Sequence, residues 1–361
     1  MLQRVQTWPT AFFLRPLSWP RFVALFLRTF VAGMALAYLF ILLVDPYDMV
    51  PFSLPIKRPI VSIAQRFTYP QIARSGHFDS LIVGSSTARL LDPQTLNGPF
   101  QARFANLSMN AMTPWEQMEM VDYFRRKVGP PKVLIVALDG RWCDQAADRV
   151  LTQHGFPLWM YDDDPWNDYL HLLNSGTLEI AGRLIGYQFG LYRERIRYDG
   201  YQVFVPPESE YDLAKAQRHL WGGSPPRVPP ALPPATLSEQ ERQSLSFPAL
   251  AWLDRTLTKL PTATLKIFAD MPVHVTTQPW PGTHATAVDT ECKARVAAIA
   301  RKYEAKLIDW RIVSPLTSND SNYWDALHYR LPIAERIAKG LIAAVLEARE
   351  SADASYRIVV P

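Results

Sequence analysis

The sequence predicts an α/β protein built on a parallel, doubly wound sheet. Three observations carry the prediction. Short apolar runs at residues 81–83, 132–138 (KVLIVAL) and 265–269 (LKIFA) have the length and composition of strands buried on both faces. They are separated by stretches with helical patterning, the alternation expected of a parallel sheet with right-handed crossovers. The first run ends in Gly84-Ser85-Ser86. A small residue followed by hydroxyls at the C-terminal end of a strand stands where such sheets place their chemistry.

Further elements follow in order. Residues 102–107 (ARFANL) read as the second strand. Thr113-Pro114 opens a helix to about Lys127, with proline at the favoured first position, and Gly129-Pro130-Pro131 breaks it. Residues 291–303 read as helix and 306–309 as a short strand. The last helix, 332–350, carries Ile333, Ile337, Leu341 and Val345 at every fourth position, which makes one buried stripe. The interval 142–261 is too long for one crossover. It contains a helical region near 170–191 and a proline-rich run, 222–234, that suits neither helix nor central strand. It reads as an insertion after the third strand, either a cap beside the strand ends or a surface excursion.

The N-terminal region is of another kind. Residues 22–44 (FVALFLRTFVAGMALAYLFILLV) hold one charge, Arg28, in 23 residues. A helix of that length crosses a hydrocarbon core of about 30 Å, with Arg28 snorkelling to the near interface. Residues 1–44 hold four arginines and no acid, which leaves 34 basic against 34 acidic side chains in the rest. The flanking Arg4, Arg15 and Arg21 assign residues 1–21 to the cytoplasm and the body to the other side, the periplasm in a Gram-negative cell. A cleaved signal peptide is the competing reading. The run is long for one, and no small-residue cleavage site sits just before Asp45. Residues 45–77, rich in proline, read as an extended juxtamembrane segment before a domain spanning 78–361.

Composition excludes some functions. A neutral body with no basic run gives no electrostatic footprint for nucleic acid. No Cys/His spacing resembles a zinc site, and no metal or other cofactor is expected. The run Asp162-Asp163-Asp164 reads as a solvated turn. Cys143 and Cys292 lie far apart and read as two separate thiols, although an oxidising compartment would let them pair.

Ser86 is the candidate nucleophile. Its partners are Asp325 and His328, three residues apart before the last helix. A carboxylate at that spacing can fix the imidazole tautomer and leave the other ring nitrogen to take the serine proton. These residues resemble the SGNH (GDSL-type) hydrolases and their membrane-tethered envelope acyltransferase relatives. The anchors are Val83-Gly84-Ser85-Ser86 and Asp325-Ala326-Leu327-His328. The likeness covers about residues 78–140 and 262–348. It implies a flavodoxin-like sheet sandwiched by helices, with Ser86, Asp325 and His328 as the triad.

The same resemblance places oxyanion donors at the Ser86 N–H, at a second-block glycine, here Asn110 or Ala111, and at a third-block asparagine, here Asp139. An ionised Asp139 cannot donate. It is protonated, it does another job, or the backbone alone builds the hole. Arg89 is a candidate for substrate carboxylate or phosphate, or for an ion pair with Asp92 or Asp139. His274 and Trp324 are further substrate-binding candidates. Trp142, Trp159, Trp166 and Trp280 offer faces for sugars. The implied activity is a serine esterase or O-acyltransferase on envelope or exported polysaccharide, with a multi-spanning protein bringing the acyl donor. The alternative is a non-catalytic glycan-binding or scaffold subunit of a polysaccharide export assembly.

Overall fold

The computed structural model describes residues 18–226 and 232–361. Arg4 and Arg15 of the basic N-terminal flank lie outside the described residues, as do residues 227–231 of the proline-rich run.

Among the described residues the sheet has six strands: β1 (Ser80–Gly84), β2 (Phe104–Asn106), β3 (Val133–Leu138), β4 (Leu265–Asp270), β5 (Lys306–Asp309) and β6 (Arg357–Val360). Their spatial order is β2-β1-β3-β4-β5-β6. The first five are parallel and β6 closes one edge antiparallel to β5. The helices are α1 (Trp19–Val44), α2 (Gln65–Arg74), α3 (Pro93–Phe100), α4 (Pro114–Lys127), α5 (Pro165–Leu172), α6 (Ser175–Gln188), α7 (Leu213–Trp221), α8 (Glu239–Ser244), α9 (Pro248–Leu257), α10 (His284–Lys302) and α11 (Leu331–Leu346).

Alternation along each strand divides the core in two. Leu81, Val83, Leu134, Val136 and Phe268 face a core shared with residues of α2, α4, α9 and α10. Ile82, Ile135, Ala137, Ile267 and Ile308 face a second core closed by α3 and α11. The expected stripe of α11 is there: Ile333, Ile337 and Leu341 are buried. Helix α4 begins with a capping box between Thr113 and Glu116 and ends in Arg125, Arg126 and Lys127, which suit its C-terminal dipole.

Helix α1 is apolar enough to cross a membrane, and most of its surface is exposed. Its final turns join the body: Ile41 and Val44 are buried in the first core.

The structure departs from the sequence reading in several places. The segment after α1 is not extended throughout. It contains α2 and buries Tyr47, Val50, Ile60, Tyr69 and Ile72 against α4 and the sheet. Its prolines shape a path over the core rather than a free tether. Cys143 and Cys292 are not separate thiols; they form a disulfide. The helical region of the long interval divides into α5 and α6, and α7, α8 and α9 follow. Strand β6 lies beyond any element the sequence reading assigns.

Candidate active site

Gly84 ends β1 where the chain must pass close to its neighbours. A Cβ there would lie 2.8 Å from the Cβ atoms of both Ala137 and Ala88. The requirement for glycine is therefore close approach rather than an unusual turn. Its backbone enters a single 3₁₀ turn, residues 86–88, with Ser86 at its first position. Buried Asn106, at the end of β2, pins this turn by donating its side-chain amide to the carbonyls of Ala88 and Leu91, each at 2.9 Å.

His328 approaches from the far end of the chain. The Asp-x-x-His segment is a closed loop rather than a helical turn. Tyr323 and Tyr329 form an antiparallel bridge across it, and the Trp324 N–H donates to the His328 carbonyl at 2.8 Å. Inside the loop Asp325 Oδ1 accepts from the N–H groups of Leu327 and His328 at 2.8 and 2.9 Å. Its Oδ2 lies 2.8 Å from His328 Nδ1, and His328 Nε2 lies 2.8 Å from Ser86 Oγ. Burial raises the pKa of Asp325, but the hydrogen bond and charge of His328 and the two N–H donors outweigh it and hold the carboxyl below its ordinary value. An ionised Asp325 on Nδ1 sets the tautomer that leaves Nε2 free to accept the Ser86 proton.

The pair opens into a cleft of about 620 Å³ lined by Ser86, Ala111, Asp139, Arg141, Phe204 and His328, among others. Two backbone N–H groups on its rim, those of Ser86 and Ala111, have no acceptor among the described residues. Ala111 has φ +49°, the left-handed region that favours glycine. A side chain there costs about 1 kcal/mol or more. The backbone thus takes the conformation of the expected glycine without the residue. Asn110 differs: its N–H donates to Gln65 Oε1 at 2.8 Å, its carbonyl accepts from Arg66 Nη1 at 3.1 Å and its side-chain oxygen accepts from Arg89. The Asn110 backbone N–H is therefore occupied.

Asp139 borders the cleft. Burial pushes its carboxyl above the ordinary range, against the Ser85 hydroxyl, the Arg141 N–H and the charges of Arg141 and Arg311. Its Oδ1 accepts the Arg141 N–H at 3.0 Å and caps the short turn after β3. The Arg141 guanidinium itself makes no ion pair among the described residues.

Three candidates lie apart from the cleft lining. Arg89 is buried, donates to Asn110 and Gln202, and stacks over the Phe204 ring at 4.2 Å. It forms no ion pair with Asp139, and Asp92 pairs with Arg197 instead. His274 is fully buried between Trp221 and Tyr323, with Nε2 3.1 Å from Asp320. Burial pushes its imidazole below the ordinary value against the pull of Asp320. Trp324 packs edge-on to Tyr211. Among the described residues no group of three or more His, Cys, Asp or Glu side chains converges as a metal site would.

No protein-family model matches the sequence, and no curated protein matches it significantly.

Several contributors escape the sequence reading. Phe204, from the long interval, meets the His328 ring edge-on at 5.3 Å. Gln65 and Arg66 grip the Asn110 turn from α2, and Arg66 is anchored by a buried ion pair with Glu116 at 2.7 Å. Arg141 had a usable signal, since it follows β3 at the same sheet edge as Ser86. Phe204, Gln65 and Arg66 reach the site only through tertiary packing.

Proposed function

We propose that this chain is a membrane-anchored serine esterase or O-acyltransferase of SGNH type, acting on acyl esters of envelope or exported polysaccharide. The observation that carries the reading is the continuous contact from Ser86 Oγ through His328 to Asp325, with both links at 2.8 Å. In this reading Ser86 Oγ attacks the ester carbonyl carbon while His328 Nε2 takes its proton. The N–H groups of Ser86 and Ala111 receive the developing oxyanion. The tetrahedral species collapses, His328 returns the proton to the departing alkoxide, and the acyl group stays on Ser86. Water or a sugar hydroxyl, deprotonated by His328, then attacks the acyl-enzyme and releases Ser86. Transfer to sugar would require a multi-spanning partner to bring the acyl donor across the membrane.

The strand order from β2 to β5, 2-1-3-4-5, supports a flavodoxin-like sheet with the site at its strand ends. Arg141 supplies an uncommitted cation for an acidic substituent of a glycan. A site beyond the inner membrane, with the N-terminus cytoplasmic, is supported by the basic residues on one side of α1 and by a disulfide, which persists in oxidising compartments. The test is Ser86→Ala. Wild type should hydrolyse acyl esters and react covalently with a fluorophosphonate probe, and the variant should do neither. Equal labelling of both proteins would remove Ser86 from the chemistry. A glycan that binds both equally, with no turnover by either, would point to a binding subunit.

A further inference from the structure

We propose that exposed apolar side chains around the end of α1 form a collar seated in the headgroup and acyl boundary of the bilayer that α1 crosses; this rests on α1 being the membrane anchor.

The argument begins with depth. Helix α1 has 26 residues. At about 1.5 Å per residue it is about 39 Å long, more than a hydrocarbon core of about 30 Å requires. The body grips its last turns. Tyr38 Oη donates to the Tyr169 carbonyl of α5 at 2.8 Å. Tyr38 precedes Val44 by six residues, so this bond lies about 9 Å before the end of the apolar helix. A second segment attaches near the same end: the Leu54 N–H donates to the Leu43 carbonyl at 2.7 Å.

Both segments carry large apolar side chains that the body leaves bare. On α5, Trp166 and Leu170 are 79% and 80% exposed, and they share a face at i, i+4 spacing. Leu173 follows, and Phe52 and Leu54 are exposed beside Leu43. Single exposed apolar residues need no explanation. Here the segments that carry them are fastened to the end of a helix whose own surface is apolar and mostly exposed. Trp and Tyr favour the depth at which Trp166, Tyr169 and Tyr38 would lie.

Of the four carboxylates at residues 162–168, Asp168 is half-buried with no ion-pair partner among the described residues, burial and the charge of Asp162 raising its pKa to about 6, and the other three are engaged. Asp163 pairs with Arg126 and Lys127, Asp164 caps the Trp166 N–H, and Asp162 accepts from the Asp164 N–H and from Asn167. A lipid surface therefore fits this face. The collar would also restrain tilting of the domain about α1.

The test uses the full-length protein in phosphatidylcholine liposomes and the conservative variant Trp166→Phe. Flotation first reports the anchor: both proteins should rise with the vesicles, and protein left in the aqueous phase would sink the anchor reading and the collar with it. For floated protein, the difference in tryptophan emission between wild type and Trp166→Phe isolates Trp166. That component should be quenched roughly twofold by lipid brominated near the glycerol end of its chains, where interfacial Trp rings sit, and spared by aqueous iodide. Quenching by iodide but not by brominated lipid would overturn the collar while leaving the anchor standing, and would assign the patch to a protein partner instead.

Discussion

The Tyr329 hydroxyl donates a hydrogen bond to the main-chain carbonyl of Thr87. It joins the residue after His328 to the residue after Ser86, across 242 positions of sequence. Both groups are buried, so the bond fixes the separation of the two loops that carry Ser86 and His328, the proposed nucleophile and base. Tyr329→Phe keeps the ring and removes only this link. Unfolding free energy should fall by about 1–2 kcal/mol, because the Thr87 carbonyl is left without its donor. Ester-hydrolysis kcat should fall roughly tenfold with KM little changed, the pattern of misaligned chemistry rather than weakened binding. A lower melting temperature with kcat intact would make the bond purely structural.

Asp139 stands where the resemblance calls for an asparagine donor, and its raised pKa yields a prediction with a definite sign. A carboxyl raised on folding binds its proton more tightly in the native state. Its contribution to stability is present below the unfolded value of about 3.9 and is lost as pH rises through the folded value. Asp139→Asn stays neutral throughout and can donate N–H. The variant should therefore gain stability over wild type as pH rises through that window. Its kcat should exceed wild type by roughly tenfold above that window, through the added donor and the removed negative charge. The gap should narrow on acidification as the wild-type carboxyl protonates. Parallel pH profiles of kcat and of denaturant unfolding for the two proteins check both statements. An advantage that is flat or grows towards acid would refute the assignment.

Legibility in the sequence follows how locally each feature is encoded. Strands β1, β3 and β4 can be read because a strand buried on both faces must be an apolar run, and α4 because Thr113-Pro114 and Gly129-Pro130 bracket it. Strand β6 cannot. Its apolar run, Ile358-Val359-Val360, is only three residues long and lies at a sheet edge with most of the strand not fully buried, so nothing in the sequence separates it from a C-terminal tail. Helix α2 hides behind Pro70 and a polar composition, and its burial follows from what packs on it. In the site, Ser86 is legible from its place after β1, and Asp325 with His328 from their spacing. The N–H of Ala111 is legible only through the family resemblance. The bonds that hold the Asn110 turn come from Gln65, Arg66 and Arg89, which lie at least 21 residues away in sequence. No periodicity or spacing records such contacts.

The disulfide reaches the site through the turn after β3. Residues 140–143 form a short 3₁₀ turn that begins beside Asp139, carries Arg141 and ends in Cys143, and the bridge fastens it to Cys292 on α10. The two cysteines are 149 residues apart. Loop-closure entropy for a span of that size assigns the bridge about 5 kcal/mol, an upper figure because it treats the reduced chain as structureless. Buried Trp142 and the packing of α10 hold the same turn without the bond, so the fold should survive its loss in weakened form. The double variant Cys143→Ser/Cys292→Ser, compared with oxidised wild type in denaturant titration, should unfold about 3–5 kcal/mol more easily, and wild type in reductant should match it. The positions of Asp139 and Arg141 should loosen in both, which raises KM for a charged ester more than for a neutral one of the same acyl group. Identical unfolding midpoints in oxidised and reduced wild type, with two free thiols titrated when the oxidised protein is denatured without reductant, would show the bond is absent from the native protein. Equal midpoints with the bond verified by mass would show that the turn is held by packing alone.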